Sequence, residues 1–489
     1  MTKMIRTLLI WIGLVLLPVS PIAAQTAPEK LYPAPGAKNV NPDVQLVLTF
    51  SSAPKVGASG FVRIVDTASG MVFDTLDLAI PAGPDPSKIR RGLPPDTTVY
   101  QEKTIGGLEG FHFHPVIVRD TRATIYLHKP LAYGRTYRVE IDPGVLATEA
   151  GEFAGTSKGD WTFSTKKAPP AADAKKLVVA ADGSGDFNTV QGAIDFVPDL
   201  LTEPVTIFIR KGNYEELVFF RGKSNLIIRG EDRDGVVVGY GNNSAFNPPQ
   251  ARSPNRRPAF SVSNSTDIQL STFTINNYYI GQAEALLMTG ERNVVDRMTL
   301  NGSGDALQLR GPTYLTGLKL TGHGDTILSV GPAFFDKCEV HSIGPFNWIR
   351  NPATNHGHVF KDCTFIGLDE PLPWTRRADG SGQKVKQVIA RLPDNKGFNY
   401  PHAELVLINT RMSGIAPEGW GPIQEDGPTF SRANIKFWEY ASTDLEGRPI
   451  DMTKRHEIVR ELKRPQDDKL IEDYSSPAFV LGGWTPVVR

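Results

Sequence analysis

Two segments of this chain match position by position: Met298-Thr-Leu-Asn-Gly-Ser-Gly-Asp305 and Leu318-Lys-Leu-Thr-Gly-His-Gly-Asp325. The pattern continues at the same step. Cys338-Glu-Val stands as far beyond Leu318 as Leu318 stands beyond Met298, and Cys363-Thr-Phe follows after a slightly longer step, with Phe335-Asp-Lys-Cys338 echoed by Phe360-Lys-Asp-Cys363. A period of roughly 20 to 25 residues containing short strands points to a solenoid, in which one repeat cannot bury its apolar face alone and stacks on the next. Each repeat reads as one coil of a parallel β-helix, so equivalent residues stack about 4.8 Å apart, the spacing of hydrogen-bonded strands. A leucine-rich repeat is excluded, because its leucine-asparagine signature is absent.

The strands of this solenoid start well before the repeat: Val205-Thr-Ile-Phe-Ile209, Leu226-Ile-Ile228, Val236-Val-Val238, Phe260-Ser-Val262 and Phe273-Thr-Ile275. A different pattern precedes them. Val44-Gln-Leu-Val-Leu-Thr-Phe50, Phe61-Val-Arg-Ile-Val65, Ala123-Thr-Ile-Tyr-Leu127, Tyr137-Arg-Val-Glu-Ile141 and Trp161-Thr-Phe163 alternate apolar and polar residues between turn residues, which predicts a β-sandwich. With 489 residues the chain is long enough for two domains. The reading is all-β: a smaller sandwich over 30–166, a Pro/Ala-rich linker over 167–174 and a right-handed parallel β-helix over 175–489. His112 and His114 alternate on a strand of the first unit, a pattern that fits packing better than metal ligation.

Residues 1–24 read as a signal peptide. Lys3 and Arg6 precede an apolar run from Leu8 to Leu17, too short to span a bilayer, and Ala23-Ala24 forms the cleavage region. The expectation is an exported protein, periplasmic or extracellular, with no integral membrane segment after cleavage. Cleavage would remove Lys3 and Arg6 and leave 51 basic against 53 acidic residues. With no lysine- or arginine-rich tract, nucleic acid is not an expected partner. Cys338 and Cys363 are the two cysteines; they fall on equivalent positions of adjacent coils, within reach of each other as a disulfide or as stacked thiols.

Asp305 and Asp325 occupy the same position on adjacent coils, so their carboxylates are neighbours. Like charges this close drive one pKa up while the other stays low, which separates a proton donor from an anionic nucleophile or base. Two other readings stand beside this one: an aspartate that shapes a solenoid turn, and a carboxylate pair that holds a structural cation.

The order of motifs resembles the pectin methylesterase family, carbohydrate esterase family 8. Val178-Val-Ala-Ala-Asp-Gly-Ser-Gly-Asp-Phe-Asn-Thr-Val190, Gly212-Asn-Tyr-Glu-Glu216, Gly281-Gln-Ala-Glu-Ala-Leu286, Gly304-Asp-Ala-Leu307, Gly322-His-Gly-Asp-Thr-Ile327, Ile415-Ala-Pro-Glu-Gly-Trp420 and Gly482-Gly-Trp-Thr-Pro486 carry it. The opening Pro33-Ala-Pro-Gly-Ala37 and closing Trp161-Thr-Phe-Ser-Thr165 of the first unit resemble a bacterial immunoglobulin-like domain. The esterase resemblance implies Asp325 as nucleophile, Asp305 as general acid and then base, Arg391 as the arginine that holds the nucleophile ionised, and Gln282 as an oxyanion donor. It implies no cofactor and no metal, and a monomer acting on pectin or a related acidic plant polysaccharide. Three departures stand out. Gly304 occupies the place of a second oxyanion glutamine, a loss that costs on the order of 10² to 10³ in rate in other hydrolases. Leu392-Pro393 replaces proline-tryptophan, and Thr326-Ile-Leu-Ser329 replaces an aromatic run. Trp348 and Trp374 are the candidates to supply the missing aromatic wall. Esterase action on another substituted polysaccharide, and a non-catalytic pectin-binding β-helix, are the competing readings.

Overall fold

The computed structural model describes residues 25–85, 97–156, 159–248, 256–395, 398–421 and 433–489. The expected signal segment lies outside them. Among the described residues no helix is long and apolar enough to cross a membrane.

From residue 176 onward the chain winds as a parallel β-helix with three faces. One face has eleven strands, from Lys176–Val179 to Val459–Glu461, and the other two have eight each. All strand pairs within these faces are parallel. The reason lies in the columns. Ile228, Leu270, Val295, Leu315, Phe335, Phe360 and Leu407 pair in succession across seven coils of the longest face. Ile275, Leu300, Leu320, Val340, Phe365 and Met412 do the same on the second face. Both columns point inward to one continuous core. A fully buried side chain of this size contributes about 1.5–3 kcal/mol, and a register slip by one residue would turn the whole column outward. Phe335 and Phe360 stack with ring centroids 4.2 Å apart.

Both cysteines sit in this interior as free, buried thiols. They are adjacent, as the repeat predicts: the Cys338 amide donates to Cys363 Sγ at 3.3 Å. Each thiol donates to carbonyls of its own and the preceding coil.

The helix Val190–Phe196 closes the N-terminal end of the solenoid. Its first amides are capped by carboxylates from two directions. Glu216, at the end of Gly212-Asn-Tyr-Glu-Glu216, accepts from Val190 and Gln191 at 2.8 and 2.9 Å. Asp43 accepts from Asn188 and Thr189 at 2.9 and 2.8 Å. Negative charge is favoured there by the unpaired amides and the helix dipole.

Ahead of the solenoid, a four-stranded and a five-stranded sheet enclose a second apolar cluster that includes Leu46, Leu48, Ile125, Ile64, Val139 and Trp161. A third cluster joins the two parts: Ile105 and Phe111 pack with Leu217, Phe219, Tyr240 and Phe246. His112 and His114 belong to this junction. The His112 amide donates to Asn247, and the His114 ring stacks on Phe246 at 4.9 Å.

Candidate active site

The two aspartates stand at one corner of the solenoid. The corner leads from the strands Thr299–Asn301 and Lys319–His323 into Leu307–Arg310 and Ile327–Ser329. Leu307 pairs with Ile327, and the Asp305 amide donates to the Gly324 carbonyl at 3.2 Å, so the two Gly-Asp corners lie one above the other. Each corner takes two consecutive left-handed residues: Gly304 and Asp305 at φ +52° and +55°, Gly324 and Asp325 at +76° and +44°. Aspartate is one of the few non-glycine residues that visit this region. The turn carries both carboxylates to the same side of the helix while nearly burying them, each at 7% exposure.

The same backbone accounts for Gly304. A Cβ there would sit 2.6 Å from the Gly281 carbonyl oxygen. In this packing of coils Gly304 has no room for a side chain.

The surroundings of the pair are strongly charged. Arg391 Nε lies 2.5 Å from Asp325 Oδ1. Gln282 Nε2 donates to Asp305 Oδ2 at 3.4 Å, and its carbonyl accepts from Ser244 Oγ at 3.3 Å, which fixes the amide with its donor toward Asp305. Trp348 lies one coil beyond Leu328 in the outward column that runs from Leu287 through Gln308. Its ring is covered by two guanidinium groups, Arg350 at 4.6 Å and Arg391 at 5.2 Å, and meets Tyr400 edge-on. The structure thus brings together Asp305, Asp325, Arg391, Gln282 and Trp348. Trp374 is half-exposed on a short turn over Pro373–Thr375; among the described residues no hydrogen bond, ion pair or ring contact links it to the others.

Further residues complete the site without having been singled out from sequence. Arg257 places Nη2 3.9 Å from Asp305 Oδ2 and donates to Gln308 Oε1 at 2.9 Å. Its Nε lies 2.5 Å from Glu284, whose carboxylate is wholly buried. A glutamate inside the apolar stretch from Ala283 to Leu287 was the one available signal; its partner comes from the preceding coil.

Burial pushes the Asp305 carboxyl above the usual carboxylate range, with Arg257, Arg391 and Arg350 pulling the other way. Burial also pushes Asp325 up, to about 7; Arg391 and Arg350 oppose the rise, and Asp305 adds to it. Two coupled carboxyls share protons as a pair. The Arg391 guanidinium in contact with Asp325 favours its charged form against burial. Burial raises Glu284 to about 8 despite Arg257. Among the described residues no group of three or more His, Cys, Asp or Glu side chains is arranged to hold a metal ion.

Residues 176–481 match the family described as Pectinesterase. The chain belongs to the pectinesterase family. It is by family a carboxylic ester hydrolase on a parallel β-helix. "Probable pectinesterase 67" of Arabidopsis thaliana is 23% identical over 331 residues, 64% of this chain and 86% of that protein. "Pectinesterase/pectinesterase inhibitor 18" of the same plant is 24% identical over 319 residues; 63% of this chain is covered, and about half (53%) of that longer relative. Among solved structures, "Pectin methylesterase from Carrot" superposes with a TM-score of 0.50 at 18% identity, covering 65% of this chain and 95% of that one, a likeness of fold. The family match begins at residue 176, so the sandwich lies ahead of it.

Proposed function

We propose that this chain hydrolyses the methyl esters of pectin, with Asp325 as nucleophile and Asp305 as general acid and base. The observation that carries this reading is the Arg391–Asp325 ion pair one coil away from a second nearly buried carboxyl. An arginine at 2.5 Å favours the charged form of Asp325, and repulsion between the two carboxyls favours a proton on its neighbour, the division that acyl transfer requires.

In this mechanism an Asp325 oxygen attacks the carbonyl carbon of the uronate methyl ester. The developing oxyanion is stabilised by the Gln282 amide, already oriented by Ser244, and by the Arg257 guanidinium on the same side of Asp305. The carbon–oxygen bond to the methoxy group breaks, and Asp305 gives its proton to the leaving oxygen, forming methanol. An acyl link between the uronate and Asp325 remains. Asp305, now a carboxylate, takes a proton from water as its oxygen attacks that link. Free uronate departs, and both aspartates return to their starting states. Arg257 supplies a donor where Gly304 cannot.

The sandwich over 30–166 is proposed as an immunoglobulin-like unit separate from the chemistry of the 175–489 solenoid. Signal-directed export, and pectin in the cell wall as the partner, complete the reading.

The test is product analysis on pectins of defined methylation and acetylation. Methanol release that scales with methyl ester content is the expected result. Acetate without methanol would move the reading to another ester, and binding without either product would make the chain a pectin-binding β-helix.

A further inference from the structure

The Gln282 amide is oriented by Ser244, but the backbone that carries it comes in from the open. Tyr278 and Ile280, just ahead of it, are 46% and 57% exposed. Gly281 has a left-handed φ of +115°, and a Cβ there would meet no atom within 4 Å. Packing therefore does not hold this stretch, and its place depends on hydrogen bonds.

Those bonds converge on one residue. Ser303 fills the variable place of the first Gly-Xaa-Gly-Asp copy, just ahead of Gly304 and Asp305. Its Oγ accepts from the Gly281 amide at 3.2 Å. Its backbone exchanges two hydrogen bonds with Ala283: the Ala283 amide donates to the Ser303 carbonyl at 2.8 Å, and the Ser303 amide donates to the Ala283 carbonyl at 3.0 Å. Gln282 is thus gripped on both sides by a residue that is itself 4% exposed.

The repeat supplies a second layer. His323 fills the same place one coil on, and its Nδ1 lies 3.2 Å from Ser303 Oγ. A peptide amide can only donate, so Ser303 Oγ accepts from Gly281 and turns its own hydrogen toward His323 Nδ1. That bond requires an imidazole that is neutral and carries its hydrogen on Nε2. Burial holds the ring below its usual pKa, against Glu370 and together with Arg376.

We propose that Ser303 and His323 are positioning residues for the oxyanion donor: the chain Gly281–Ser303–His323 fixes the backbone of Gln282 and so sets where its amide meets the developing charge. This rests on the esterase reading above. Such a donor is effective only when it is in place before charge develops, and a displacement of about 1 Å costs on the order of 10² in rate. Neither residue acts on substrate in this role, so the loss falls on kcat and leaves KM in place.

The experiment measures methanol release by the full chain carrying Ser303→Ala, His323→Leu or His323→Asn, each alone and together with Gln282→Ala, with a melting transition to show that each is folded. Ser303→Ala lowers kcat about tenfold, the loss of one or two hydrogen bonds, with KM within about twofold of wild type. His323→Leu lowers kcat about fivefold. His323→Asn restores most of that loss, because its Oδ1 takes the place of Nδ1 as acceptor. In the Gln282→Ala background neither Ser303→Ala nor His323→Leu costs anything further, since the donor they place is gone. An equal loss in both backgrounds, or a change confined to KM, overturns the proposal. Hydrogen exchange reads the grip whether or not methanol is released: amides of the segment 279–285 exchange faster in Ser303→Ala and His323→Leu than in wild type and His323→Asn, and unchanged exchange refutes the assignment. Absence of methanol from wild type would count against the esterase reading alone.

Discussion

Asp325→Asn should gain stability relative to wild type as pH rises from 5 to 8. Asp325 is nearly buried, and its carboxyl is raised from 3.8 to about 7, mainly by burial. The folded state therefore binds this proton more tightly than the unfolded chain. Its contribution to stability is complete below about pH 4 and is lost as pH rises through about 7. At about 1.4 kcal/mol per pH unit, the loss is larger at pH 8 than at pH 5 by a few kcal/mol. Asparagine has nearly the same shape and no such dependence. The attraction of Arg391 for the carboxylate already opposes this rise and is lost together with the charge. The variant therefore gains a few kcal/mol more, relative to wild type, at pH 8 than at pH 5. Denaturant unfolding of both proteins at the two pH values measures it. Equal gains at pH 5 and pH 8, or a larger gain at pH 5, would refute the claim that burial holds this carboxyl high.

Gly304→Ala should destabilise by about 2 kcal/mol or more, since it combines a left-handed backbone with a Cβ 2.6 Å from the Gly281 carbonyl; melting within a degree of wild type would show that the coils can spread and that a glutamine is not sterically barred. Glu284→Ala leaves Arg257 without its buried partner and should cost about 3 kcal/mol, with kcat at least about tenfold lower because Arg257 is no longer aimed at Asp305; full turnover in a folded variant would free Arg257 from the mechanism. A chain beginning near Ala174 should keep its rate on a short soluble substrate, because all the site residues lie after that point, yet melt earlier, because Leu217, Phe219, Tyr240 and Phe246 lose Ile105 and Phe111 and the capping helix loses Asp43. A folded truncation with no activity would show that the sandwich shapes the site.

The pairing of Asp305 with Asp325 was legible because a solenoid converts an offset in sequence into a neighbour in space. The same conversion placed Cys338 beside Cys363, and the columns of Leu, Val and Phe announced the coils. What stayed hidden were contacts made across coils of unequal length. Arg257 meets Glu284 only after the chain has turned a full coil, and nothing in the sequence around Arg257 marks it. The purpose of Glu216 was likewise obscure, since its motif resembles a family signature but its carboxylate acts as a helix cap from outside the helix. Trp348 and Trp374 look alike in sequence; only strand register puts Trp348 in the column beside Leu328, under two arginines, while Trp374 sits on a turn. The reason for Gly304 is steric and lies in the Gly281 carbonyl of the preceding coil, which no local pattern expresses.

The most direct test of the central claim is methanol release from methyl-esterified pectin by purified wild type, Asp325→Asn and Asp305→Asn, each shown to be folded by its melting transition. The account predicts release by wild type, none above background from Asp325→Asn, whose amide is a poor nucleophile, and a strongly reduced rate from Asp305→Asn, which can neither protonate the departing methoxy group nor accept a proton from water. Methanol release at close to the wild-type rate by folded Asp325→Asn would contradict it.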